Sequence, residues 1–457
     1  MRALQTRSGR ITVAILAATA FGATAATATA SSVSAAAHPA AHRTVTTRPI
    51  PSVTNHILAQ TLAFPPDTAY CQANLGISCY SPVQYKQAYN TQPLANFGIT
   101  GKGRTIAIVD AFGSPTIAAD LHTFDQNYGL ADPPSLQIIQ PAGVVPPFNN
   151  QDPVQLNWAT ETTLDVEYAH AMAPDANILL VETPVAETEG VTGFPEIVAA
   201  ENYVINHGLA DVISQSFGAT EDTFPSRQSI LDLRSANINA AKHGVTMLAS
   251  SGDTGVTNFN LDGSGLYPYP VNSWPSADPL TTSIGGTQMH LDAAGNRLSP
   301  DVTWNDGFGA GGGGQSHVFN RPDFQDRVQS VVGDRRGTPD ISMSAAVDGG
   351  AIFYYSFQPS RVGWHIVGGT SQAAPMFSGV VALAAQVAHH KLGNINSALY
   401  LLNRVHASGI VDVTSGDISF GGVTGPAATT GYDMATGVGT VDVSKFAPQL
   451  ALASLVH

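Results

Sequence analysis

The stretch GGTSQAAP, Gly368 to Pro375, sets Ser371 just after two glycines and ahead of the apolar run MFSGVVALAAQVA. A serine at the mouth of a helix is placed as a nucleophile, because the unpaired N–H groups there favour developing negative charge. It needs a group to take its proton. In WATETTLDVEYAHAMAPDANILL the carboxylates Glu161 and Asp165 stand four apart, on one face near the start of a predicted helix. Two acids in one site can do that work: like charges raise one of the two pKa values and leave a proton to be shared. Such a pair works best in acid. On its own an i, i+4 acid pair is more often a solvated helix face. His170, nine residues after Glu161, points from the opposite side of the helix. His207 and His243 each end a candidate helix, where capping or plain solvation accounts for them.

The elements that must hold these residues can be read from the apolar pattern. Short β-branched runs, RTIAIVDAF, NILLVET, DVISQSF and GVTMLASSG, are each followed by turn residues or a helix start. This predicts an α/β fold with a mostly parallel central sheet and helices on both faces. Candidate helices lie at about 115–128, 156–173, 193–207, 226–243 and 371–390. The chain has 457 residues, 43% apolar and only 12% charged, with 34 acidic against 20 basic side chains and a formal charge of -14. It can bury a sizeable core. Nucleic acid and anionic membranes are unsuitable partners for that charge. Few charges also suit an acidic medium, because little native stability then depends on ionised carboxylates.

Residues 1–30 combine Arg2, Arg7 and Arg10 with an apolar run from Ile11 to Phe21 and small residues ending near Ala30. That is the pattern of a secretory signal peptide, and it implies a secreted, extracellular protein. The alternative, a membrane anchor, would need about twice that length of strongly apolar chain. Residues 31–79 read as a short leader or prosegment, and the ordered domain as 80–457. In a secreted chain the close pair Cys71 and Cys79 suggests a disulfide closing a short loop; a free pair is the alternative. The run GFGAGGGGQS, Gly307 to Ser316, is a loop that needs unusual backbone angles or close approach to something.

From Tyr80 to Phe446 the sequence resembles the sedolisin family, serine-carboxyl peptidases with a subtilisin-like fold. YSPVQYKQAY, GKGRTIAIVDAFG, ETTLDVEYAHAMAP, VISQSFG, ASSGDTG, YPVNSWPSADPLTTSIGGT, VTWNDGFGAGGGGQS, RGTPDIS, GGTSQAAP and GYDMATGVG carry the likeness by their order and spacing. The resemblance implies that Ser371 is the nucleophile, Glu161 the base and then acid, and Asp165 the partner that orients it. Asp253 matches the acid at the oxyanion hole, which helps only while protonated. Asp110 falls where the family carries a supporting acid. Ser216, Phe217 and Gly218 match the segment that pairs with substrate backbone, with Phe217 where relatives carry tryptophan. Gly311 and Gly312, with Gly313 and Gly314, match the facing wall of the cleft. The family's calcium loop maps onto the carboxylates of Asp412 and Asp433 and the carbonyls of Val413, Thr429 and Gly431, with Thr429 where glycine is expected.

The resemblance departs upstream, where residues 31–79 are too few for the family's large folded prodomain. Three readings follow. The first is a monomeric, calcium-binding secreted endopeptidase acting on polypeptides below about pH 5. The second is a catalytically silent secreted peptide-binding protein on the same fold. The third, a subtilase with a Ser/His/Asp triad, would need a histidine where the chain has Glu161.

Overall fold

The computed structural model describes residues 60–455; the expected signal peptide and residues 31–59 of the leader lie outside the described residues. The main sheet contains β1 (Thr105–Ala111), β2 (Leu136–Ile139), β3 (Asn177–Thr183), β4 (Val212–Gln215), β5 (Thr246–Ser250), β6 (Thr282–Gln288), β7 (Val302–Thr303) and β8 (Ile341–Ser344). They lie in the order β7-β6-β5-β4-β1-β3-β2, with β8 also on β6. Every pairing is parallel except β7 with β6.

β1 shows why a continuous apolar run becomes a strand here. Ile106 and Ile108 enter the core cluster on one face, Ala107, Val109 and Ala111 the cluster on the other. With both faces covered, no polar alternation is possible. Helices α1 (Ile117–Tyr128), α2 (Pro153–Met172) and α6 (Thr370–Ala388) fill the first cluster. Helices α3 (Phe194–Asn206), α4 (Arg227–Leu233) and α5 (Ser235–His243) fill the second. The subtilisin-like, mostly parallel sheet expected from the sequence is thus present with helices on both faces.

Three boundaries differ from the sequence reading. α2 starts at Pro153, because the Asp152 carboxylate accepts from the Val154 N–H at 2.9 Å and proline at the first helical position has no N–H to leave unpaired. The single helix expected over 226–243 is two, joined at Arg234, whose guanidinium turns to both oxygens of Asp278 at 2.6 and 2.9 Å. The packed chain also begins ahead of Tyr80. Leu62 exchanges backbone hydrogen bonds with Trp364 at 2.9 and 2.8 Å, and Cys79 pairs with Gly350. These contacts lay residues 60–79 against β9 (Gly350–Tyr355) and β10 (Gly363–Val367). Cys71 and Cys79 are joined in a disulfide with Cα atoms 5.9 Å apart, and both are fully buried. Among the described residues no helix is long and apolar enough to cross a membrane.

From β1 the chain adds strands outward in one direction as β3 and β2, and in the other as β4, β5 and β6. Such a reversal opens a crevice at the C-terminal ends of the strands, where α/β sheets take their ligands. α6 crosses α2 closely enough that a Cβ on Gly379 would meet the Met172 Cβ at 2.5 Å. That crossing sets the middle of α6 against the last turn of α2.

Candidate active site

Asp110 is the penultimate residue of β1, Ser216 to Gly218 follow β4, and Ser251 to Asp253 follow β5, so three strands present these residues at the same edge. Glu161 and Asp165 come from α2 and are fully buried. They are not a solvated face: from Ala159 to Met172 apart from Thr160 the helix is buried all round, and Glu161 sits mid-helix rather than near its start. His170 is on the far side, with Nε2 3.2 Å from Asp125 Oδ1 and 3.0 Å from the Ala131 carbonyl. His207 and His243 each turn Nδ1 to the carbonyl four residues back, at 2.8 and 3.0 Å. Among the described residues no histidine joins Glu161 and Asp165.

Ser371 is the second residue of α6, and its side chain is buried. Gly369 precedes the helix at φ +136°, and a Cβ there would lie 2.7 Å from Asp253 Oδ2. Asp253 caps the helix: its Oδ1 accepts from the Thr370 N–H and from the Thr370 hydroxyl, each at 2.7 Å. A carboxyl and the first N–H groups of α6 therefore converge beside the Ser371 hydroxyl. Four residues on, Pro375 has no N–H to offer the Ser371 carbonyl, and the Ser216 hydroxyl donates to that carbonyl at 3.4 Å. This ties the residue after β4 to the backbone of Ser371.

The electrostatics follow from burial without counter-charge. Glu161 is held well above the usual carboxylate range, first by burial and then by repulsion from Asp110, Asp253 and Glu187; the Ser371 hydroxyl opposes the rise. Asp165 is raised by burial, by Asp110 and by Glu161, with the Ser216 hydroxyl opposing. Asp110 is raised by burial and by Glu182, with the Thr162 hydroxyl opposing. The oxygens of Glu161, Asp165 and Asp110, and Ser371 Oγ, are buried and make no hydrogen bond of good geometry. Asp110 acts on the pair through its charge.

Two candidate groups are packed closely within the chain. The Phe217 side chain is buried against Trp158 and Phe194, with ring centroids 6.2 and 6.3 Å away, so only its backbone is available to a peptide. The glycine wall is explained by packing within the chain. A Cβ on Gly312 would lie 2.1 Å from the Ser251 carbonyl oxygen, on Gly313 2.3 Å from that of Met434, and on Gly311 3.2 Å from the Gly286 nitrogen. Gly218 is held the same way, 3.1 Å from the Trp274 carbonyl. Sequence reasoning missed Glu187 and Glu189, which lie in the turn-rich loop 184–193 after β3 and carry no periodicity to mark them.

The C-terminal loop brings its two acids onto the residues expected to share a cation with them. Asp412 Oδ2 accepts from the Gly431 N–H at 2.9 Å, and Asp433 Oδ2 from the Thr429 N–H at 2.8 Å. Asp433 Oδ1 is occupied by the N–H groups of Ala435 and Thr436 at 3.0 and 2.8 Å. Two carboxylates with the carbonyls of Val413, Thr429 and Gly431 make an all-oxygen set that fits a hard cation such as calcium. No group of three or more His, Cys, Asp or Glu side chains suited to a metal occurs among the described residues.

Residues 148–409 match the subtilase family, more than half of the chain. Sedolisin of Pseudomonas sp. (strain 101) is 29% identical over 388 residues, covering 83% of this chain and 62% of the relative. Kumamolisin of Bacillus sp. (strain MN-32) is 30% identical over 334 residues, covering 71% and 55%, and tripeptidyl-peptidase 1 of Dictyostelium discoideum is 28% identical over 374 residues, covering 78% and 55%. The chain thus spans between roughly half and three fifths of the length of these relatives. The structure of Pseudomonas sedolisin, a serine-carboxyl proteinase complexed with two molecules of pseudo-iodotyrostatin, superposes with a TM-score of 0.69 at 28% identity, covering 81% of this chain and 97% of that one. With a family match over its centre and sedolisins among its homologues, the chain belongs to the subtilase family.

Proposed function

We propose that the chain is a secreted serine-carboxyl endopeptidase, active in acid, with Ser371 as nucleophile. The observation that carries this reading is a buried serine at a helix N-terminus facing two buried acids and no histidine. Ser371 Oγ attacks the scissile carbonyl while Glu161, ionised, takes its proton. The oxyanion is met by the Ser371 N–H and by a proton on Asp253. Glu161 then passes the proton to the leaving amine, and the acyl-enzyme remains. A water, deprotonated by Glu161, attacks the ester, and the acid product leaves with Ser371 restored. Asp165 shares the second proton of the pair and so orients Glu161. Asp110 supports both from the end of β1, and the backbone of Ser216, Phe217 and Gly218 pairs with the peptide, opposite the wall of Gly311 and Gly312.

Asp412, Asp433 and the carbonyls of Val413, Thr429 and Gly431 would hold the calcium ion, which supplies rigidity to the C-terminal loop rather than chemistry. The substrates are polypeptides, and the protein acts as a monomer outside the cell. The test is hydrolysis of a denatured protein from about pH 2 to 8, with calcium present, beside Ser371→Ala and Glu161→Ala; each substitution should cost on the order of 10⁴-fold in turnover. An intact protein as inert as its variants at every pH would leave the silent peptide-binding reading in its place.

A further inference from the structure

The first turn of α6 is held on three sides from within the sheet's own connections. The Gly369 N–H donates to the Ala345 carbonyl at 2.6 Å, Asp253 accepts from Thr370, and the Ser216 hydroxyl donates to the Ser371 carbonyl. A fourth hold comes from the N-terminal part of the chain. Gln372, the residue after Ser371, is fully buried, and its Nε2 donates to the Tyr85 hydroxyl at 2.9 Å. Tyr85 lies on the short helix Pro82–Ala88, and its hydroxyl donates in turn to the Gly349 carbonyl at 2.6 Å. A hydroxyl has one proton to give. With that proton on Gly349, only the amide nitrogen of Gln372 can face Tyr85.

The Gln372 side chain has little else to hold it. Its Oε1 is buried without a hydrogen-bond partner, and beyond Tyr85 its Nε2 reaches only the Met376 sulfur, at 3.8 Å. Tyr85 is locked in place: it is fully buried, and its ring meets those of Tyr80 and Tyr168 edge to face, with centroids 6.0 and 5.8 Å away. The same N-terminal segment grips both ends of loop 345–349, between β8 and β9. The Tyr89 hydroxyl accepts from the Ser344 N–H at 2.7 Å, and the Ser78 carbonyl accepts from the Gly349 N–H at 2.9 Å. That loop closes the space behind the GGTS turn, where a Cβ on Gly368 would lie 2.6 Å from the Val347 nitrogen. Tyr85 therefore joins the loop behind the turn to the residue just after Ser371. The phenol and the amide keep their protons from about pH 2 to 8, so the link carries no charge and does not weaken in acid.

Resting on the peptidase reading above, we infer that Tyr85 is a positioning residue for Ser371: through Gln372 and the Gly349 carbonyl it fixes the first turn of α6 against loop 345–349, and so makes the chain ahead of residue 90 part of the active site. Tyr85→Phe removes only the hydroxyl and leaves the ring contacts. A nucleophile free to shift loses its line of attack before it loses substrate, because the peptide-pairing backbone belongs to other segments. The kcat of Tyr85→Phe should fall about tenfold or more, with KM within about twofold of the parent. Gln372→Leu keeps the bulk, removes the amide, and should show the same split. Both changes cut one link, so the double variant should lose no more than about twofold beyond either single one. Two separate weakenings of the fold would multiply instead.

Hydrogen exchange of residues 368–376, followed in the parent and the single variants, reads the fastening without any turnover. Exchange about tenfold faster there in both variants, with residues 194–206 of α3 at the parent's rate, supports the fastening even if the parent hydrolyses nothing. In that event the peptidase reading falls and the hold of Tyr85 on the turn stands. An active parent whose kcat survives Tyr85→Phe within about twofold, or losses that multiply in the double variant, overturns the inference and leaves the peptidase reading intact. An inert parent with exchange unchanged in both variants overturns both. Should Tyr85→Phe fail to fold, the kcat, KM and exchange of Gln372→Leu decide alone.

Discussion

Asp253 is asked for two things at once. Its Oδ1 caps α6 through Thr370, and in the proposed reaction its other oxygen donates a proton toward the oxyanion. Asparagine can do both, since its oxygen accepts from Thr370 and its amide donates at any pH. Asp253→Ala should lower kcat about 10²- to 10³-fold, and Asp253→Asn should retain more of it with the alkaline limb of the profile extended upward. Equal loss in the two variants, in steady-state kinetics, would remove the proton-donor role. At this scale the sequence was legible where chemistry constrains spacing: Glu161 and Asp165 by their i, i+4 interval, Ser371 by the glycines before it. Glu187 was illegible, because nothing in AETEG marks a carboxyl that tertiary packing will bury beside Asp110. The inward direction of the Phe217 side chain depends on Trp158 and Phe194, which are distant in sequence.

Among the elements, the crossing of α2 and α6 carries the geometry of the site, because Ser371 rides on one helix and Glu161 and Asp165 on the other. Gly379 allows the crossing, with Met172 and the Ala169 carbonyl 2.5 and 3.2 Å from where a Cβ would lie. Gly379→Ala should push the helices apart, lower Tm by several degrees and reduce kcat at least tenfold, with KM little changed because the peptide-pairing segments belong to β4 and the glycine wall. A kcat that survives the drop in Tm would show that the helix spacing has slack. The strands and most helices could be read from apolar runs. The start of α2 was missed because its signal, Asp152 followed by Pro153, precedes the apolar pattern. The break at Arg234 depends on Asp278, which no local window contains.

For the molecule as a whole, buried acids set the pH range of stability. Glu161, Asp165 and Glu187 are raised by burial, Glu189 and Glu221 are pushed up to about 7 and Glu201 to about 8, each first by burial. A carboxyl raised on folding contributes fully below its unfolded value, near 4, and loses that contribution as pH climbs through the folded value. His365 has the opposite sign: burial lowers it to about 4, so its contribution is lost as pH falls from about 6.5. Twelve carboxyls among the described residues are raised in this way, against His365 and the lowered Asp262, Asp292, Asp417 and Asp442, so Tm measured by calorimetry should be higher at pH 4 than at pH 8. A higher value at pH 8 would mean that the acids are solvated on a timescale the static packing hides. The low charge content hinted at acid tolerance, but which carboxyls lack counter-charges could be read only from the fold.

The pairing of Leu62 with Trp364 covers one margin of β10, the strand that runs directly into the GGTS turn. An uncovered strand margin is a template for other chains. Removal of Leu62 with the residues before it would uncover that margin and make it a seed for self-association.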